Sequence, residues 1–331
     1  MSIIQTTQEV IQASPLATLI HSCNEVKKDS WMNYVKILLA ISGADGEVSE
    51  EEMNWVFNDF LDIVGASEEQ KQEIRNFDFI NFNLEEKLKT LEMDVPMNYK
   101  RTLVYDAVMM ARADQVYAAE EKDAVHKAAE LLGVPYFIAK TIEGLVNTEK
   151  SLEMIRKSLF ELEEDEAHPI SNLKSLNMKP ASVLERNTFG VRFTNEQTQL
   201  NYGFALMIIA GADGEVSDAE KDWYINQFVR VSETPDHIAQ QVINYDYLNG
   251  SLEDVLSNLK VDVTINFQRT LLYNAIKMAN ADEDFPEKEK EATEKAAELL
   301  GISEDIAHTV FYLVDTEAKV LKMRATLFDY K

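Results

Sequence analysis

The chain has little of anything that interrupts a helix or staples a loop. Its 331 residues include 11 glycines and 7 prolines, about 5% together against an ordinary share of roughly 12%. So few breakers predict long uninterrupted helices. The single cysteine, Cys23, excludes an internal disulfide and a cysteine-rich zinc site, and suits a reducing compartment. Basic residues are scarce: 32 Lys and Arg against 58 Asp and Glu give 32 − 58 = −26. A surface this acidic repels phosphate backbones and anionic lipid, which argues against nucleic-acid binding and membrane docking and favours cations or basic partners. No apolar run reaches the roughly 20 residues that span a bilayer. The best, from Phe204 to Ala212, stops at Asp213. The opening MSIIQTTQEVIQ lacks a basic region ahead of an apolar one, so it is a poor signal peptide, and a soluble cytoplasmic protein is expected. There is no G-x-G-x-x-G, P-loop, G-x-S-x-G or H-E-x-x-H. No catalytic residue is assigned, and the chain reads as non-enzymatic.

What the chain does contain is itself, twice. NYVKILLAISGADGEVSEEEMNW begins at Asn33 and NYGFALMIIAGADGEVSDAEKDW at Asn201, an offset of 201 − 33 = 168 that continues without a gap to Leu159-Phe160 on Leu327-Phe328. Roughly two residues in five are identical over positions 33–160 and 201–328. The expectation is a tandem duplication of an ordinary-sized domain, residues 1–163 and 164–331. The boundary falls in the acidic ELEEDEAHPIS, residues 161–171. The two halves are expected to fold independently and to superimpose.

Each copy reads as all-α. Tyr34, Val35, Leu38, Leu39 and Ile41 line one helix face, and Ser49-Glu50-Glu51-Glu52 is a capping box that opens the next helix. Further helices are expected around Leu84–Leu91, over 99–113, over 119–132 closed by Gly133, and over 136–160. NFDFINF (76–82) is the only strand-like stretch, and it is read as a loop that packs aromatics on the core. Met109, Met110, Met207 and Met278 are read as core.

A fainter symmetry lies inside each copy. Asp45 is followed seven residues later by Glu52, Asp114 by Glu121, Asp213 by Glu220, and Asp282 by Glu289. Each pair frames an elbow between two helices. AISGADGEVSEEE and MIIAGADGEVSDAE resemble the signature of the tellurite-resistance TerB-like family: an Ala-Asp-Gly turn, a Ser cap and a Glu. The later ARADQVYAAEE and ANADEDFPEKE echo it, but with Asp114-Gln115 and Asp282-Glu283 in place of Asp-Gly. The resemblance implies compact all-α domains linked to metal and oxidative stress and to helper regions of co-chaperones, not an enzyme. It also implies protein partners, among them a membrane-associated stress-response assembly.

The acids are the candidate site. If the elbows of a copy pack together, Asp45, Glu52, Asp114 and Glu121 converge, as do Asp213, Glu220, Asp282 and Glu289. Carboxylates without His or Cys suit a hard divalent cation such as Ca²⁺, Mg²⁺ or Mn²⁺. The competing reading is helix capping and dipole electrostatics, worth about 0.3–1 kcal/mol per acid. Against capping alone, Ala118 and Pro286 replace the cap serine while Glu121 and Glu289 remain. Asp284, two residues after Asp282, with Glu283 and Glu287, makes the second copy the richer and tighter site. The loop is no EF-hand, because its glycine stands second and Val56 occupies the twelfth position. A ligand-free scaffold and a carboxylate-metal hydrolase are the alternatives.

Arg101 and Arg269 recur and are expected to tie the aromatic loop, with its Asp78 or Asp246, to the long helix. None of His21, His126, His168, His237 and His308 falls on another at the 168 offset, which excludes a repeated histidine site. His126 reads as a surface residue.

Overall fold

A computed structural model describes residues 10–12, 25–61, 64, 66–93, 97–114, 116–160, 189–191, 193, 195–230, 232, 234–259, 266–281 and 287–329. The expected boundary at 163/164 lies outside these residues, as do His21, Cys23 and His168. The chain forms two compact units. Unit 1 is Met1–Glu149 with Val320–Lys331, and unit 2 is Lys150–Lys319.

Unit 1 begins with a short antiparallel ribbon, β1 (Val10–Gln12) and β2 (Glu25–Lys27), with Val10 opposite Lys27. Three residues are too few to carry a period-two signal, so the sequence did not announce it. Every other regular element among the described residues is helical. In unit 1 these are α1 (Lys28–Ser42), α2 (Glu50–Asn54) widening into a π-helical stretch (Trp55–Leu61), α3 (Glu68–Arg75), α4 (Leu84–Thr90), α5 (Tyr99–Met110) and α6 (Ala119–Leu131). The 25-residue α7 (Tyr136–Phe160) starts in unit 1.

Unit 2 repeats the set: α8 (Glu196–Ala210), α9 (Asp218–Trp223) with a π-helical stretch (Tyr224–Val229), α10 (Asp236–Ile243), α11 (Leu252–Ser257), α12 (Phe267–Ala279), α13 (Glu287–Leu299) and α14 (Glu304–Leu327). The 168-residue offset carries α1 onto α8, α3 onto α10 and α6 onto α13 with no change of bounds (28 + 168 = 196, 68 + 168 = 236, 119 + 168 = 287).

Each core is organised around one helix buried on nearly all sides. In α5 every residue from Thr102 to Val108 is buried, and in α12 every residue from Thr270 to Ile276. A helix buried on nearly all sides must be wrapped by others. Helices α1, α6 and α4 surround one core, and α8, α10, α11 and α13 build the other. The same aromatic pair recurs: Tyr34 stacks on Phe60 at 5.8 Å and Tyr202 on Phe228 at 5.6 Å. Met110, Met207 and Met278 are core residues as expected, and Met109 is half-buried.

The aromatic loop packs where a side chain is missing. A Cβ on Gly43 would stand 2.4 Å from the Phe79 ring, and one on Gly211 would stand 2.3 Å from the Tyr247 ring. The Tyr247 hydroxyl also accepts the Val216 amide at 3.1 Å. The expected packing of this loop on the core is therefore a ring laid across the glycine that opens the elbow. Gly211→Ala should destabilise the protein by about 1–3 kcal/mol, the usual cost of overpacking. Adding Tyr247→Ala should make the glycine substitution cheaper than it is beside the intact tyrosine, which a double-mutant thermal melt will show.

Candidate functional site

The elbow between α1 and α2 is built by three local devices. A 3₁₀ turn, Gly43–Asp45, ends α1, and Gly46 follows at φ 105°, a left-handed position suited to glycine. The Asp45 carboxylate then accepts the Glu47 amide at 3.0 Å, which closes the turn. Ser49 caps α2 by accepting the Glu52 amide at 3.2 Å, while Glu52 reaches back to the Ser49 amide at 2.7 Å. The other Glu52 oxygen accepts the buried Ser42 hydroxyl. Unit 2 has the same frame: Gly214 at φ 116°, Asp213 on the Glu215 amide at 3.0 Å, and Ser217 with Glu220 in a capping box.

The second elbow of unit 1 keeps half of this. Asp114 accepts the Val116 amide at 2.8 Å, and Glu121 accepts the Ala118 amide at 2.7 Å. Ala118 has no side-chain acceptor, so only the return bond of a capping box exists. Glu52, Glu121 and Glu220 are buried at 3%, 5% and 2% exposure. A capping glutamate is ordinarily a surface residue, so full burial is more than capping needs.

The two elbows of unit 1 do meet. The Gly43–Asp45 turn packs on α6, and the Glu121 carboxyl lies within hydrogen-bonding reach of Glu52. Two buried carboxyls in contact cannot both ionise cheaply. Burial first, then the hydrogen bond and the negative charges of Glu52 and Asp45, push Glu121 up to about 8. Glu121 thus keeps its proton near neutral pH, and its carboxyl can donate toward Glu52. Asp45 is exposed and Asp114 half-buried, each engaged in its own turn. Among the described residues, no three His, Cys, Asp or Glu side chains come close enough together to hold a metal ion. In unit 2, Asp213 and Glu220 are placed, whereas Asp282, Glu283, Asp284 and the side chains of Glu287 and Glu289 lie outside the described residues.

Two readings of single residues change. Arg101 does not tie the aromatic loop. It donates to the Leu327 carbonyl at 2.7 Å and pairs with Asp329 at 3.2 Å, while Arg269 donates to the Leu159 carbonyl at 3.1 Å. Asp78 and Asp246 instead accept from Asn81 and Asn249 within their own turns. The last carbonyls of a helix lack partners and carry its negative dipole end, so each arginine lies at the strongest local attraction. His126 is not a free surface residue: its Nε2 stands 2.7 Å from Glu143, which Lys140 also binds at 2.7 Å. The lysine and the histidine hold the Glu143 carboxyl below its ordinary range despite its burial.

Glu121 fixes a sign for pH dependence. Its carboxyl is higher in the folded protein, about 8, than its ordinary 4.5. Its stabilising contribution is complete below pH 4.5 and is lost as pH rises through 8, because the unfolded chain gives up that proton earlier. Glu121→Gln keeps a donor toward Glu52 and has no proton to lose. The melting temperature of the variant relative to the native chain should therefore climb between pH 5 and pH 9, and a pH-independent difference would show that Glu121 does not hold its proton in this way.

Residues 199–309 match the family model for the tellurite resistance protein TerB. A crystal structure of a tellurite resistance protein from Nostoc punctiforme PCC 73102 is similar at 28% identity, over 46% of this chain and 98% of that one, with a TM-score of 0.40. The search of curated proteins returned no match. The matched stretch begins in α8, holds the Asp213–Glu220 elbow and ends in α14. The family match thus lies within unit 2 of this all-α chain.

Proposed function

We propose that both units are TerB-type modules and that the chain works, without catalysis of its own, as a protein-interaction component of a stress response. The observation that carries this reading is the elbow. The turn aspartate, the left-handed glycine and the Ser–Glu capping box of the matched domain recur in unit 1 at Asp45, Gly46, Ser49 and Glu52. A net charge of −26 makes a basic protein partner, such as a member of a membrane-associated stress assembly, the natural complement. No helix of the described residues is long and apolar enough to cross a membrane itself. Cells lacking the chain should become more sensitive to tellurite or peroxide, and re-expression should restore growth. Unchanged sensitivity would leave a ligand-free scaffold as the better reading. Turnover in a phosphatase and nuclease panel that is lost with Glu52→Gln would favour a carboxylate-metal hydrolase.

A second reading, a divalent cation at the elbows, draws on the contact between Glu52 and Glu121. A cation in place of the Glu121 proton would offset the charge of the two acids. Millimolar Ca²⁺, Mg²⁺ or Mn²⁺ should then raise the melting temperature at pH 8, through a stabilisation of about 2.7 kcal/mol at a hundred times the dissociation constant. Glu52→Gln with Glu121→Gln should abolish the gain. An unchanged midpoint with all three ions would overturn the cation reading.

A further inference from the structure

The long helices end on the same pattern, Arg156-x-x-Leu159-Phe160 in α7 and Arg324-x-x-Leu327-Phe328 in α14. No other arginine in the chain is followed by Leu-Phe at that spacing. Each end is seated in a socket of one chemistry. In unit 1 the Asn98 amide donates to the Phe328 carbonyl at 2.8 Å, and Arg101 donates to the Leu327 carbonyl at 2.7 Å. The Phe328 ring meets Tyr105 edge-on at 5.2 Å, and Arg324 stands 3.6 Å from Glu149, which also accepts the Tyr105 hydroxyl. In unit 2 the Asn266 amide donates to the Phe160 carbonyl at 3.0 Å, and Arg269 donates to the Leu159 carbonyl at 3.1 Å. Phe160 meets Tyr273 edge-on at 5.0 Å, and Arg156 pairs with Glu317 at 2.6 Å. Phe160 and Phe328 are 0% and 3% exposed.

The end of the second copy thus completes unit 1, and the end of the first copy completes unit 2. Two different segments satisfy two sockets through matched atoms, so the socket recognises the Arg-X-X-Leu-Phe helix end rather than a fixed place in the chain. We infer that the socket of Asn98, Arg101, Tyr105 and Glu149 is a protein-binding site, and that its intermolecular occupant is residues 320–331 of a second copy of this chain. That segment carries the motif, and Asp329 adds a charge complementary to Arg101. Exchange between two chains replaces one set of bonds by an identical set, so it costs mainly the entropy of association. The inference stands apart from the TerB reading.

Charge reversal tests it on the full chain. Glu149→Arg sets Arg against Arg324 within one molecule, and Arg324→Glu sets Glu against Glu149. Each variant alone should melt lower than the native chain and stay monomeric. Mixed one to one and warmed briefly, they should form a heterodimer of doubled mass, because Arg324 of one then faces Glu149 of the other and the reversed pair matches as well. The mixture should recover the native melting temperature. The double variant in a single chain should recover it as a monomer. If the mixture stays monomeric while the double variant recovers, exchange between copies is wrong. If the double variant does not recover, the ion pair is not the recognition element. Should either single variant fail to fold, full-length Phe328→Ala titrated with a fluorescent peptide of residues 316–331 replaces the mixing experiment. Saturable binding that the native chain lacks supports the site, and no binding overturns it.

Discussion

The last carbonyl groups of a helix have no partner inside it, and this architecture turns on where the two longest helices find theirs. Helix α7 has 25 residues, about 37 Å of rod against the roughly 30 Å of a small domain. The last stretch of such a rod has to be received elsewhere. Here its final carbonyl meets the Asn266 amide, and the final carbonyls of α14 meet Asn98 and Arg101. The Leu-Phe burial, the aromatic edge contact and the Arg–Glu pairs follow from that placement. A unit deprived of its visiting helix end would leave Tyr105 or Tyr273 facing solvent, along with a carboxylate placed for an arginine.

The elbows obey a second constraint. A helix N-terminus needs acceptors, and the glutamate three residues in supplies one. That device is ordinary on a surface. Burying Glu121 beside Glu52 pushes its carboxyl above the ordinary range. Ser42 adds a donor to Glu52, whereas its counterpart at 42 + 168 = 210 is an alanine. The same kind of divergence runs through the central helices. Asp106 accepts the Tyr34 hydroxyl at 2.6 Å, but its counterpart Asn274 donates to Tyr202 at 2.9 Å. Met109 becomes Lys277, which pairs with Glu317 at 3.6 Å. At matched positions the two units hold the same helices but place their buried charge differently.

The helical class, the order of elements, the elbows and their capping glutamates were legible from the sequence alone, because each is a local matter of periodicity, turn chemistry and caps within a few residues. The 168-residue register likewise needs only comparison of the chain with itself. That Glu52 and Glu121 touch, while Asp45 and Asp114 stay in their own turns, depends on how α6 packs against the first elbow. A fold-level contact of this kind leaves no trace at a spacing of seven residues. The role of Arg101 was hidden for the same reason, since its partners lie 226 and 228 residues further along the chain. The repeat showed that the two Leu-Phe ends were equivalent. Only the tertiary structure decided that each completes the unit of the other copy, because a helix end settles where its carbonyls, its ring and its arginine are all satisfied together, and no local pattern encodes that place.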